Sequence, residues 1–327
     1  MADLMFREAL REALREEMKR DERVFIIGED LINYGGPFKV TLGLSKEFPE
    51  GRIVDTPISE SAFVGAAVGA ALAGLRPIAE VMYMDFLTVP MDQMVNAAAK
   101  MCYIYNGELS VPMVLRTAFG SGTRSGLHHS QSLEAWFIHT PGWKVVMPSN
   151  PADAKGLLKS AIRDNNPVLF LEHKLLYGVR GAVPDGEHIV PLGVAEVKRA
   201  GTDVTIVAWG FMVTKALRAA DKLAKQGVSA EVIDPRTLSP LDKDTIVNSV
   251  NKTGRLVVVH EAVRTGGFGG EIAAIVAHDS FGYLDAPIER VTAPDTPVPF
   301  SYPMEDFYLP QDDDIVAAAL RTVGKGA

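Results

Sequence analysis

The chain has 327 residues, with 33 basic side chains against 41 acidic ones and a net charge of −8, a length that accommodates two domains with separate cores. No block of Lys or Arg forms the basic stripe of a nucleic-acid binder, so no nucleic-acid partner is expected. The single cysteine, Cys102, excludes an internal disulfide, fits a reducing cytoplasm and leaves no ligand spacing for a structural zinc.

In chain order, MADLMFREALREALREEMKRDERVF places Leu4, Met5, Ala9, Leu10, Ala13, Leu14 and Met18 on one face among dense charges. That spacing predicts an amphipathic helix and no secretion signal. The longest apolar run, residues 62–75, ends at Arg76 and is too short to span a bilayer, so no membrane association is expected. Short β-branched runs alternate with helical patterns: RVFIIGED, RIVDTP, RPIAEVMY, PMVLRTAF, WKVVMP and PVLFLEH, then DVTIVAWG, SAEVIDPR, RLVVVHEA and PIERVTAP. This order predicts an α/β fold of two domains with mostly parallel sheets flanked by helices. The Gly- and Pro-rich stretch Gly178–Gly201 lacks a helical period and marks a junction between domains of residues 1–185 and 190–327.

Glu60 follows Ser59 at the start of a helix rich in Gly65, Ala66, Gly69, Ala70, Ala73 and Gly74. An acid in a first helical turn is favoured by the helix dipole whether or not it has a function. The small residues behind it, however, cost up to about 1 kcal/mol for each Gly in helix propensity, a sacrifice that suits close approach by another helix or a flat ligand. An acid beside such a contact is desolvated, and its raised pKa lets it share a proton with a ring nitrogen.

The loop GSGTRSGLHHSQ, residues 120–131, follows the strand run PMVLRTAF and carries Arg124, His128 and His129. Ligands of parallel sheets collect beyond the carboxyl ends of strands, so this histidine pair is a proton-transfer candidate, weighed against ordinary exposed loop histidines. HEAVRTGGFGGE, from His260 to Glu271, lies between a strand and a helix but fits neither G-x-G-x-x-G nor a P-loop; a tight turn is the plainer reading. Around Phe86, MYMDFLTVPMDQM offers either a stacking wall for a heterocycle or plain core.

Taken in order, DTPISES, RPIAEVMYMDFLTVPMDQMVNAAAK, the HSQ at His129–Gln131, PGWKVVMPSNPADAKGLLKSAIRDNNPV and RTGGFGGEIAA resemble one family over almost the whole chain. It is the beta subunit of the thiamine-diphosphate-dependent, decarboxylating first component of 2-oxo acid dehydrogenase complexes, a family of pyruvate, acetoin and branched-chain 2-oxo acid dehydrogenases. The resemblance implies a pyrimidine-binding domain followed by a transketolase C-terminal-like domain. It implies that Glu60 hydrogen-bonds the aminopyrimidine ring nitrogen of the cofactor, with Ile58 and Phe86 packed beside that ring. It further implies that His129 serves acyl transfer to a lipoyl group carried by a dihydrolipoyl acyltransferase, whereas His128 receives no role. A structural potassium ion, held by main-chain carbonyls in the family, corresponds here to Met113, Ala161, Ile162, Asp164 and Asn166, although Asp164 also reads as part of a helix-end turn.

The GDG motif with a later Asn, which holds magnesium and the diphosphate in thiamine-diphosphate enzymes, is missing from this chain. The resemblance therefore implies an alpha subunit that supplies magnesium and the other half of the site in an alpha2-beta2 heterotetramer. The segments VLRTAFGSGTRSG and FLEHKLLYG are more similar to the acetoin and pyruvate members than to the branched-chain ones. Rival readings are a branched-chain subunit, a nucleotide- or flavin-dependent oxidoreductase using the Gly-rich turn, and a catalytically silent scaffold.

Overall fold

Each of the ten apolar runs forms a strand in the computed structural model, which describes residues 1–325; the last two positions of the expected second domain lie outside the described residues. Two units result, Met1–Phe119 with Trp136–Leu192, and Gly120–Ala135 with the chain from Gly193. In the first, the strands are β1 (Ala2–Met5), β2 (Val24–Gly28), β3 (Ile53–Asp55), β4 (Arg76–Val81), β5 (Val114–Phe119), β6 (Lys144–Val146), β7 (Val168–His173) and β8 (Arg180–Val183). Its main sheet runs β6-β7-β5-β4-β2-β3 and is parallel throughout. Such a sheet is covered on both faces, which is why β5 and β7 are buried at every position.

The helices of the first unit are α1 (Phe6–Arg20), α2 (Glu60–Leu72), α3 (Met101–Ile104) and α5 (Pro151–Arg163), with α4 (Glu134–Ile138) where the chain re-enters it. The amphipathic helix expected at the N-terminus is α1, whose inner face buries Ala9, Leu10, Ala13, Leu14 and Met18. Leu4 and Met5 do not belong to it. They lie in β1, which pairs antiparallel with β8, and Glu8 caps the helix by accepting from the Met5 N–H at 2.8 Å. The polar edges of α1 and α5 are joined by Lys155 to Glu12 and Glu16, Lys159 to Glu16, and Arg163 to Glu17, at 2.6–2.9 Å.

The second unit contains β9 (Glu196–Arg199), β10 (Val204–Ala208), β11 (Ala230–Asp234), β12 (Thr237–Ser239), β13 (Leu256–Val263) and β14 (Glu289–Ala293). Its five-stranded sheet runs β14-β13-β10-β11-β9, parallel except for β9 at one edge. Helices α6 (Met212–Ala224), α7 (Lys243–Thr253), α8 (Gly269–Asp279), α9 (Tyr302–Tyr308) and α10 (Asp312–Thr322) complete it. The acidic start of α10 suits the helix dipole, and Asp314 accepts from the Gln311 N–H at 2.8 Å. Among the described residues no helix is long and apolar enough to cross a membrane.

Candidate active site

Neighbouring strands β2 and β3 align Gly28 with Asp55, and the chain leaves both at their carboxyl ends. The two exits are tied together there: Asp55 accepts from the N–H groups of Leu31 and Ile32 at 2.6 and 3.0 Å, and Gly28 O from Thr56 N–H at 2.8 Å. Glu29 follows β2 directly, and Glu60 is the first residue of α2, so two carboxyl groups gather where a parallel sheet receives ligands. Each residue is 8% exposed.

Among the described residues Glu29 Oε1 is buried and has no hydrogen-bond partner. Burial, followed by the charges of Glu60 and Asp30, pushes the Glu29 carboxyl up to about 7. A carboxyl that titrates near neutrality can hold or release a proton at the working pH, as a general acid or base must. Sequence reasoning passed over Glu29, although a carboxylate directly after the apolar strand VFIIG was the available signal.

Ser59 does not cap α2 with its side chain; its hydroxyl donates to Pro57 O at 2.9 Å, while its carbonyl accepts from Ala62 and Phe63. The small residues of α2 serve two different faces. A methyl at Gly65 would meet Gln93 Cγ at 3.3 Å, so this face admits the helical turn Gln93–Ala98. On the other side Ala62, Ala66, Gly69 and Ala73 are not covered, and Gly69 has open space beside it.

Ile58, 80% exposed, stands just ahead of Glu60. Phe86 is half-buried in the turn Met84–Thr88, and Ser61 Oγ donates to Val89 O at 2.9 Å, joining the end of that turn to the start of α2. Ile58, Glu60 and Phe86 therefore belong to one locality of the first unit. A buried acid with an unsatisfied carboxyl oxygen beside it, an exposed aliphatic side chain and an adjacent aromatic suit a planar nitrogen heterocycle, in which a ring nitrogen needs a proton partner and the ring faces need apolar contact.

His129 lies in the second unit, on the segment Gly120–Ala135. It is half-buried and its neighbour His128 is exposed. The same segment carries Glu134, whose carboxyl burial pushes up to about 7 and which accepts from Trp209 Nε1 at 3.2 Å.

The carbonyls matched to a potassium site surround the end of α5 and the start of β7. Arg76 Nη1 donates to the carbonyls of Ile162 and Asp164, both at 2.9 Å, while Ala161 O accepts from Asp164 N–H and Met113 O from Val168 N–H. Any potassium ion there must use second lone pairs beside a guanidinium. The Asp164 carboxylate accepts from Asn166 N–H at 2.8 Å and pairs with Lys144, as a helix-end turn requires. Among the described residues no cluster of three or more His, Cys, Asp or Glu side chains could hold a metal ion.

The turn Gly266–Gly270 has a packing explanation. A methyl at Gly267 or Gly269 would lie 2.6 or 2.7 Å from the His260 ring, so these glycines let the backbone close over that buried imidazole. Trp209 stacks on the same ring at 5.2 Å.

Residues 2–180 match the family model described as transketolase, pyrimidine binding domain, and residues 193–315 match transketolase, C-terminal domain. The chain is 50% identical to the acetoin:2,6-dichlorophenolindophenol oxidoreductase subunit beta of Cupriavidus necator, over 97% of each chain. It is 47% identical to the pyruvate dehydrogenase E1 component subunit beta of Rhizobium meliloti, over 97% of this chain and 69% of that one. A split-gene transketolase, solved as an inactive beta4 tetramer, superposes with a TM-score of 0.79 at 25% identity over 99% of both chains. The ordered strand exits and the two matched domains lead to one assignment: the chain belongs to the thiamine-diphosphate-dependent transketolase-type family that contains the beta subunits of acetoin and 2-oxo acid dehydrogenases.

Proposed function

We propose that this chain is the beta subunit of an acetoin- or pyruvate-type dehydrogenase, active with an alpha subunit and passing an acyl group to lipoamide. The observation that carries this reading is the buried Glu29–Glu60 pair beyond β2 and β3, beside the Phe86 turn. Thiamine diphosphate supplies the electron sink that decarboxylation or carbon–carbon cleavage needs. Glu60 holds a proton at the aminopyrimidine ring nitrogen. Glu29, half-protonated near neutrality, takes up charge beside it, and Ile58 and Phe86 orient the ring by apolar contact. His129 holds the proton required when the acyl group passes to a lipoyl sulfur.

The chain carries no GDG motif, so the alpha subunit holds magnesium and the diphosphate, in an alpha2-beta2 heterotetramer. The open face of α2, formed by Ala62, Ala66, Gly69 and Ala73, accommodates a closely approaching helix. Further partners are a lipoyl-bearing dihydrolipoyl acyltransferase and, at the end of α5, a potassium ion sharing its carbonyls with Arg76. The assembly operates in the cytoplasm, where the lone Cys102 stays reduced.

Thiamine diphosphate binding is measured for this chain, for the alpha subunit and for their mixture. Tight binding by the mixture alone is expected; equal affinity for this chain by itself would overturn the shared site. For His129→Ala in the reconstituted complex, reduction of an artificial acceptor is expected to outlast lipoyl transfer. Equal loss of both activities would contradict the role given to His129.

A further inference from the structure

The loop that carries His129 takes left-handed backbone at four positions. Gly120, Gly122, Arg124 and Gly126 have φ values of 92, 94, 59 and 74°. Glycine enters this left-handed region freely, but Arg124 does so against contact between its Cβ and the neighbouring carbonyl. Two backbone hydrogen bonds that close the loop are long: Gly120 N–H to Gln131 O at 3.4 Å and His129 N–H to Gly126 O at 3.3 Å. A segment so rich in Gly, Ser and Thr would otherwise sample many conformations.

Shorter bonds reach it from two buried acids outside the loop: Glu261, which accepts from the N–H of Ser121 and from Ser121 Oγ at 2.9 Å, and Glu305 in α9, which is 0% exposed. One carboxylate oxygen of Glu305 accepts from Gly122 N–H at 2.7 Å, and the other from Arg124 N–H at 3.1 Å and Arg124 Nη1 at 2.6 Å. Arg124 Nη2 continues to Asp306 at 2.6 Å, and its guanidinium lies 4.4 Å from the centre of the Tyr302 ring. Two residues on, Gly126 sits so close to Phe300 that an added methyl would lie 3.0 Å from the ring. It is the carbonyl of Gly126 that receives the His129 N–H. A continuous path of contacts thus runs from the buried Glu305 carboxylate through residues 122–126 to the backbone of His129.

We propose that Glu305 is a positioning residue for His129, acting through Gly122 and Arg124, and that it governs acyl transfer to the lipoyl group more than the preceding bond cleavage. This rests on the role proposed above for His129. Glu305→Gln conserves volume and one acceptor, but in either orientation its amide NH2 faces a donor, the Gly122 N–H or the N–H and guanidinium of Arg124. Donor then faces donor, and the left-handed turn loses its support.

The test uses the reconstituted complex of both subunits with a lipoyl domain and thiamine diphosphate. Glu305→Gln is expected to lower kcat for lipoyl acylation about ten- to a hundredfold, the scale of a misplaced catalytic group, while reduction of 2,6-dichlorophenolindophenol stays within about twofold. KM for the lipoyl domain is expected to hold, and the double variant with His129→Ala to be no slower than His129→Ala alone. Equal loss in both assays, or effects that multiply in the double variant, would overturn the proposal. If Glu305→Gln does not assemble, Arg124→Gln is expected to show the same selectivity, and a uniform loss there is equally decisive. Should His129→Ala itself prove unselective, the reading of His129 fails. Amide hydrogen exchange over residues 120–131 then judges Glu305 separately: faster exchange in the variant keeps its hold on the loop, and unchanged exchange removes it.

Discussion

Two groups of buried acids share the sheet of the first unit, and they are treated in opposite ways. In the middle strands, Arg116 on β5 binds Glu172 on β7 with two bonds of 2.7 and 2.8 Å and Glu80 on β4 with one of 2.7 Å, and Tyr177 donates to Glu172 at 2.7 Å. Burial pulls the Arg116 guanidinium towards neutrality, and Glu172 and Glu80 more than offset it, so the cation persists at 1% exposure. At the strand ends, Glu29 and Glu60 have no such counter-ion among the described residues, and Glu29 keeps an oxygen without a partner there. A satisfied cluster holds a fold together, whereas an acid left short of partners has capacity for a ligand.

The largest test of this contrast is at the unsatisfied site. Glu60→Gln in the reconstituted enzyme is expected to keep the fold and lower turnover about a hundred- to ten-thousandfold, as loss of a positioned acid–base group does. Near-normal turnover would place Glu60 with the structural acids. At the satisfied cluster the loss moves from rate to stability. Arg116→Met leaves two carboxylates buried without their cation, and denaturant unfolding is expected to show a loss of about 3–5 kcal/mol. A mild effect there would remove the distinction.

Glu29 distinguishes the two regions by pH. Its folded pKa of about 7 lies above the ordinary 4.5, so between those values the unfolded chain gives up a proton that the folded chain keeps, and stability falls as pH rises. Glu29→Gln is accordingly expected to be more stable than the parent above pH 7, by about 2–3 kcal/mol once solvent screening is allowed for, with the gain gone below pH 4.5. Thermal unfolding at pH 4.5 and 8 reads this directly, and a pH-independent difference would show that Glu29 is not strained by its burial. The smallest effect belongs to the open face of α2. With free space beside Gly69, Gly69→Ala is expected to stabilise this chain by up to about 1 kcal/mol in chemical denaturation, and to weaken assembly with the alpha subunit in titration calorimetry if that face is the contact.

The sequence makes the sheets legible because a parallel strand buried on both faces leaves a dense apolar run, and all ten such runs are strands. The β1–β8 ribbon and the edge strand β9 escape that reading. Their exposed residues leave no apolar run, and β9 lies within a stretch read as a junction from its Gly and Pro content. Glu60 is visible through its small-residue helix. Glu29 is not, because what sets it apart is a missing partner, and sequence carries no direct record of a hydrogen bond that fails to form. The Arg116 cluster left a fainter trace: Glu80 in RPIAEV, Arg116 in VLRTAF and Glu172 in VLFLEH, whose pairing depends on the strand order β4-β5-β7 rather than on any local pattern.

Gly28 lies at the seam between the two acid groups. A methyl on it would stand 2.6 Å from the carbonyl oxygen of Glu80, so β2 reaches its place against β4 by backbone contact, with no side chain to adjust. The next residue in the chain is Glu29. The location of that proton-bearing group is therefore fixed by main-chain geometry, much as a machinist fixes a part against a flat face rather than a spring. Ile58 and Phe86, proposed above to flank the ring, are open to substitution by side chains of other sizes, while position 28 stays closed to every residue that carries a Cβ.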